Sequence, residues 1–90
     1  MKENTITGLD FKLREMAGRI RDLREVSGFT LEEMARRTEI SLEEYIQCEN
    51  GNRNLSIAFL YRCALIFGVD FADLIEGKSP KLRSYDLTRK

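Results

Sequence analysis

The chain has 90 residues, 15 basic and 15 acidic side chains, two cysteines and no histidine. That length suits one compact domain with a modest core. The missing histidines exclude Ser/His and Cys/His nucleophile pairs and the usual structural zinc sites, so no catalytic residue, cofactor or metal is expected.

Residues 1–8 are polar and Gly8 acts as a breaker, which predicts a flexible N-terminus ahead of a domain over 9–77. MKENTITGLD lacks the apolar core of a signal peptide, and no apolar run approaches the ~20 residues that cross a bilayer. Cytoplasmic placement is expected. A first helix is predicted from Asp10 to Ser27, with Leu13, Met16, Ala17, Ile20, Leu23 and Arg24 on one stripe and Gly28 ending it. Arg14, Arg19, Arg21 and Asp22 fall on the opposite, solvated side.

The run Thr30 to Gly51, TLEEMARRTEISLEEYIQCENG, carries the most information. Thr30 with Glu33 and Ser41 with Glu44 both have capping-box spacing, which opens helices at Leu31 and Leu42. The second helix is predicted over Leu31–Thr38 and the third over Leu42–Asn50. Met34, Ala35, Thr38, Ile40, Tyr45 and Cys48 give both an inner side. That is a helix-turn-helix pattern, whose second member can enter the major groove of DNA.

NGNRN, Asn50 to Asn54, is turn chemistry. Ser56 caps a fourth helix, Ile57–Phe67, and Asp70 a fifth, Phe71–Glu76, each followed by glycine. Cys48 and Cys63 take core-like positions and read as reduced, buried small hydrophobes rather than a disulfide. Residues 78–90 hold the only proline and form a basic linker whose RSYDL segment alternates like a strand start.

The charge is uneven along the chain. Residues 28–55 carry three basic and six acidic groups, whereas 78–90 carry five basic and one acidic. A neutral chain counts against strong non-specific DNA affinity, which comes from phosphate neutralisation. The fourth helix, IAFLYRCALIF, has one charge, Arg62, in eleven residues. That is more apolar surface than five small helices easily cover, so Ile57, Phe59, Tyr61, Leu65 and Ile66 read as either a fat core or a dimer or partner surface.

RIRDLREVSGFT, EEMA, EISLEEYIQCENG and FGVDFADLI together resemble the Cro/phage-repressor family of XRE-type DNA-binding domains, over roughly Asp10 to Ile75. The resemblance implies an all-α, five-helix, lambda-repressor-like fold with the helix-turn-helix at helices two and three. It implies an ion pair between Arg24 and Glu49, and the apolar stripe around Arg24 independently asks for a carboxylate partner.

By the same resemblance, Leu42, Glu43 and Gln47 read base edges. Gln47 can bond adenine N6 and N7, Leu42 can meet a thymine methyl, and Glu43 can accept from cytosine N4. Leu42 has packing on Leu31 as its alternative, and Glu43, like Glu44, has the helix dipole. Thr30, Leu31, Ser41, Asn52, Arg53 and Asn54 fall where the family contacts the DNA backbone. Leu31, Leu42 and Glu43 depart from the polar or basic residues usual there.

Relatives dimerise near the last two helices. The tail resembles a connector that, in one branch of these regulators, leads to a small cupin-like β-barrel sensing domain. The expected role is a DNA-binding transcription regulator, a homodimer on double-stranded DNA. The alternative is the same scaffold used as a protein-interaction module or antitoxin-like partner binder.

Overall fold

A computed structural model describes residues 8–77, with side chains from 11 onward. The described chain folds into five helices: α1 Gly8–Ser27, α2 Leu31–Thr38, α3 Leu42–Glu49, α4 Ile57–Phe67 and α5 Phe71–Glu76. The boundaries differ from the sequence reading in two places. Gly8 opens α1 instead of breaking the chain, and Asn50 is the C-cap of α3 rather than its last helical residue. The strand-like RSYDL segment, and the rest of the tail, lie outside the described residues.

The core is built where the inner sides of the helices converge. Met16, Ala17 and Ile20 of α1 meet Met34 and Ala35 of α2, Tyr45 and Cys48 of α3, Leu60, Cys63 and Ala64 of α4, and Leu74 of α5. Leu13, Leu23, Leu31, Val69 and Phe71 pack partly buried around it. Each fully buried aliphatic side chain contributes roughly 1.5–3 kcal/mol of transfer free energy, so these few residues dominate the stability of so small a domain. Among the described residues, no helix is long and apolar enough to cross a membrane.

The ends of the short helices are tied by specific groups. Ser56 Oγ accepts from the Phe59 amide at 3.0 Å, as its cap position predicts. Asp70 occupies the N-cap of α5 but makes no side-chain cap bond, contrary to expectation. At the other end of α5, Arg19 corrects a second expectation. It is not on a solvated side: its Nη1 donates to the Leu74 carbonyl at 2.7 Å, satisfying an otherwise orphan acceptor. Gly77, at φ +73°, sits directly against that guanidinium, where a β-carbon would collide with it.

Candidate nucleic-acid interface

The corner between α2 and α3 is held by bonds local to the sequence. Thr30 Oγ1 accepts from the Glu33 amide at 3.0 Å, and Glu33 Oε1 accepts from the Thr30 amide at 2.8 Å. Ser41 and Glu44 repeat the arrangement at 3.0 and 3.2 Å. The backbone bond from Thr30 holds the exposed Glu33 carboxyl below its usual titration range. Both boxes use the backbone donors of Thr30 and Ser41 inside the chain, so only the hydroxyl protons of these two residues remain for a phosphate.

Between the boxes the chain turns through Glu39, at φ 66°, the one non-glycine residue with positive φ among those described. Its amide donates to the Arg36 carbonyl and the Ile40 amide to the Ala35 carbonyl, at 3.2 and 3.1 Å. Buried Thr38 donates its hydroxyl to the Met34 carbonyl at 2.7 Å. Arg62 of α4 then reaches over this corner, with Nη1 3.4 Å from the Thr38 carbonyl and Nη2 3.4 Å from Glu39 Oε1. The sequence reading gave Arg62 no task; its isolation in an apolar helix was the signal that it has one.

Helix α3 divides cleanly by burial. Tyr45, Cys48 and Glu49 are buried, while Leu42, Glu43 and Gln47 are exposed, Leu42 marginally at 38%. Leu31 is only half-exposed and packs against the core, which limits what it can offer a duplex. Burial raises the Cys48 thiol above its ordinary range.

The buried end of α3 is gripped by α1. Arg24 Nε donates to Glu49 Oε2 at 2.7 Å and Nη2 to Glu49 Oε1 at 3.2 Å, the side-on pairing that a planar guanidinium allows. Arg24 Nη1 also donates to the Phe29 carbonyl at 3.1 Å, and the Tyr45 hydroxyl donates to Glu49 Oε2 at 2.5 Å. The hydrogen bond to Glu49 raises Arg24 further above its ordinary value. Burial first, then the bond to Glu49, pushes Tyr45 well above the usual phenol range. The Tyr45 hydroxyl was missed by reading Tyr45 as merely apolar, although its position four residues before Glu49 puts both on one helix face.

The loop after α3 folds back on that helix. Gly51, at φ +73°, donates its amide to the Cys48 carbonyl at 3.2 Å, and the Asn52 amide reaches the Gln47 carbonyl at 3.0 Å. Asn52, Arg53 and Asn54 are exposed on this loop. Arg53 Nη1 lies 3.5 Å from Gln47 Oε1 and 3.6 Å from Glu44 Oε2. The exposed end of α3 and the following loop thus form one continuous polar surface.

The expected partner surface on α4 is narrower than the sequence suggested. Ile57, Tyr61 and Leu65 are 70%, 55% and 63% exposed, a stripe at four-residue spacing. Phe59 is not part of it: at 4% exposure it belongs to the core, its ring 6.0 Å from that of Tyr45. Ile66 likewise packs partly buried on the core. The Tyr61 ring borders Phe71 of α5, with centroids 6.4 Å apart.

Two helices meeting at a capped corner, with the second exposing one side and clamped on the other, define a helix-turn-helix module. Residues 11–80 match the profile of the helix-turn-helix domain family, and the chain belongs to that family. No curated protein sequence matches it significantly. Among solved structures it is similar to the restriction-modification controller protein C.AhdI from Aeromonas hydrophila, with 23% identity and a TM-score of 0.66 over 71% of this chain and 97% of that one. It is also similar to the clp gene regulator ClgR from Corynebacterium glutamicum: in one structure 22% identity and a TM-score of 0.68 over 87% of each chain, in another 24% and 0.64 over 70% and 82%. At these identities the likeness establishes the shared fold.

Proposed function

We propose that the chain is a sequence-specific, DNA-binding transcription regulator that places α3 in the major groove, acting in the cytoplasm as a dimer on a two-fold site. The observation that carries this reading is the split face of α3. Leu42, Glu43 and Gln47 are exposed together, while Tyr45, Cys48 and Glu49 of the same helix hold it to the core. The regulatory roles named for the similar structures, a restriction-modification controller and a clp gene regulator, support the same reading.

Within it, Gln47 reads a purine edge, Leu42 lies against a thymine methyl, and Glu43 selects cytosine while opposing other bases. Thr30, Leu31 and Ser41, together with Asn52, Arg53 and Asn54, border the sugar-phosphate backbone. Ile57, Tyr61 and Leu65 form the dimer contact, which sets two α3 helices about one DNA turn, ~34 Å, apart.

Selection of bound duplexes from a random pool, repeated at several salt concentrations, tests this. The expected result is a two-fold symmetric site whose affinity falls with salt at a slope of roughly −0.9 per phosphate contacted. Salt-insensitive, sequence-blind binding or none at all would instead favour a partner-binding scaffold, for which the apolar α4 stripe supplies the surface.

A further inference from the structure

A glutamine amide has one acceptor oxygen and two N–H donors. Unrestrained, it matches adenine, because its oxygen can accept from N6 while an N–H donates to N7. In this chain the oxygen is not unrestrained. Arg53 Nη1 stands 3.5 Å from Gln47 Oε1, and the same nitrogen is 3.6 Å from Glu44 Oε2. Glu44 and Gln47 are three residues apart, on one helix face, so a single guanidinium spans both.

Arg53 is brought there by backbone, not chance. The left-handed Gly51 and the bond from the Asn52 amide to the Gln47 carbonyl turn the loop back over the end of α3. Gly51 also lies against α1, where an added β-carbon would be 3.2 Å from Arg14 Cγ. Glu44 Oε2, 3.6 Å from the same nitrogen, draws the cation toward the helix in the free protein.

The amide oxygen has two lone pairs, and Arg53 lies along one. Its positive charge opposes a further donor at the other, which leaves the two N–H bonds as the groups best suited to meet a base. A base edge offering only acceptors, guanine N7 and O6, suits that presentation; the N6 donor of adenine does not. We propose that Arg53 is a positioning residue that disfavours Gln47 as an acceptor and shifts its preference from adenine to guanine. This rests on the DNA-binding reading above.

The test is selection of bound DNA by the wild-type chain, Arg53→Met and Gln47→Ala, with the side-chain amide resonances of Gln47 followed in the free protein. At the position whose preference Gln47→Ala abolishes, the wild type should favour guanine over adenine by roughly tenfold. Arg53→Met should bring that ratio below about twofold or invert it, leaving the other positions unchanged. In the free protein, Arg53→Met and Glu44→Gln should shift the Gln47 amide resonances, and Arg36→Met should not. Uniform weakening of all sequences by Arg53→Met, with the ratio kept, would make Arg53 a phosphate contact only and overturn the inference, as would adenine selected by the wild type. If no site is selected while the resonances still respond to Arg53, the DNA-reading role itself fails, and the base preference with it.

Discussion

Arg24 and Glu49, twenty-five residues apart, are joined by two nitrogen–oxygen contacts of 2.7 and 3.2 Å that tie the end of α3 to the first helix. Because both side chains are largely shielded, truncating one strands the other's charge. Arg24→Ala should therefore cost about 3 kcal/mol or more. Tyr45→Phe keeps the ring and removes one donor to the carboxylate, for a loss of about 1–2 kcal/mol. A double-mutant cycle in urea should show the two losses to be non-additive, since both act on Glu49. Additive losses within error would mean the three groups do not work as one unit.

How far these contacts could be read from residues alone depends on how local their cause is. Helices α2 and α3 were readable because each capping box lies within four residues, and the structure reproduces both. Arg24 was readable in part: its place on an apolar stripe demanded a carboxylate, and the family resemblance supplied which one. Helix α4 was not, because a segment apolar nearly all round gives no pattern to tell Phe59, which is buried, from Ile57, which is exposed. That choice is made by how the other helices pack against it, α3 among them through Tyr45. Arg19 was misplaced for a similar reason, since its partner is a carbonyl 55 residues away. The candidate DNA-reading residues came from the family resemblance, which names positions along α3; Leu42, Glu43 and Gln47 are exposed there.

Glu39 carries backbone strain that the sequence did not announce. It holds φ 66° where a side chain costs roughly 1–2 kcal/mol over a right-handed conformation. Glu39→Gly relieves this, against the greater freedom of glycine in the unfolded chain and the loss of an exposed contact to Arg62. The expected net effect is a gain of about 0.5 kcal/mol, seen as a higher urea midpoint at an unchanged m-value. A loss would show that glycine's freedom in the unfolded chain and the Arg62 contact together outweigh the strain.

On the α3 surface, charge and reading should separate. Gln47→Ala should erase about 1–3 kcal/mol of discrimination at a single base position. Glu43→Gln removes a carboxylate that phosphates repel, so it should raise affinity for most sequences while relaxing the position it faces. Competition binding of single-base-substituted duplexes checks both. Equal effects of Gln47→Ala on every duplex would place Gln47 on the backbone instead.

The α4 stripe gives the proposed dimer its test. Leu65 is 63% exposed, so Leu65→Glu should leave the unfolding midpoint of the monomer nearly unchanged. Across a two-fold contact it would oppose two carboxylates in an apolar setting, and sedimentation should shift from dimer to monomer. A wild-type chain that sediments as a monomer, or a variant that still dimerises, would remove Ile57, Tyr61 and Leu65 from the interface.

Cys63 makes the fold sensitive to alkali. Burial, the main cause, pushes its thiol up to about 12 from the ordinary 9.0. Between those two values the unfolded chain has released the proton and the folded chain has kept it. Stability is thus complete below pH 9 and falls as pH rises toward 12, by up to about 1.4 kcal/mol per pH unit from this one group. Burial raises Tyr45 as well, which adds a loss of the same sign above its ordinary value of 10.0. Urea midpoints measured from pH 8 to 10.5 should decline, and less steeply in Cys63→Ala, whatever stability the smaller side chain costs at pH 8. At neutral pH, Cys48 and Cys63, both buried and free, should react with a thiol reagent only as fast as the chain opens. A midpoint flat to pH 10.5, or immediate labelling of Cys63 in the native protein, would place that thiol in contact with water.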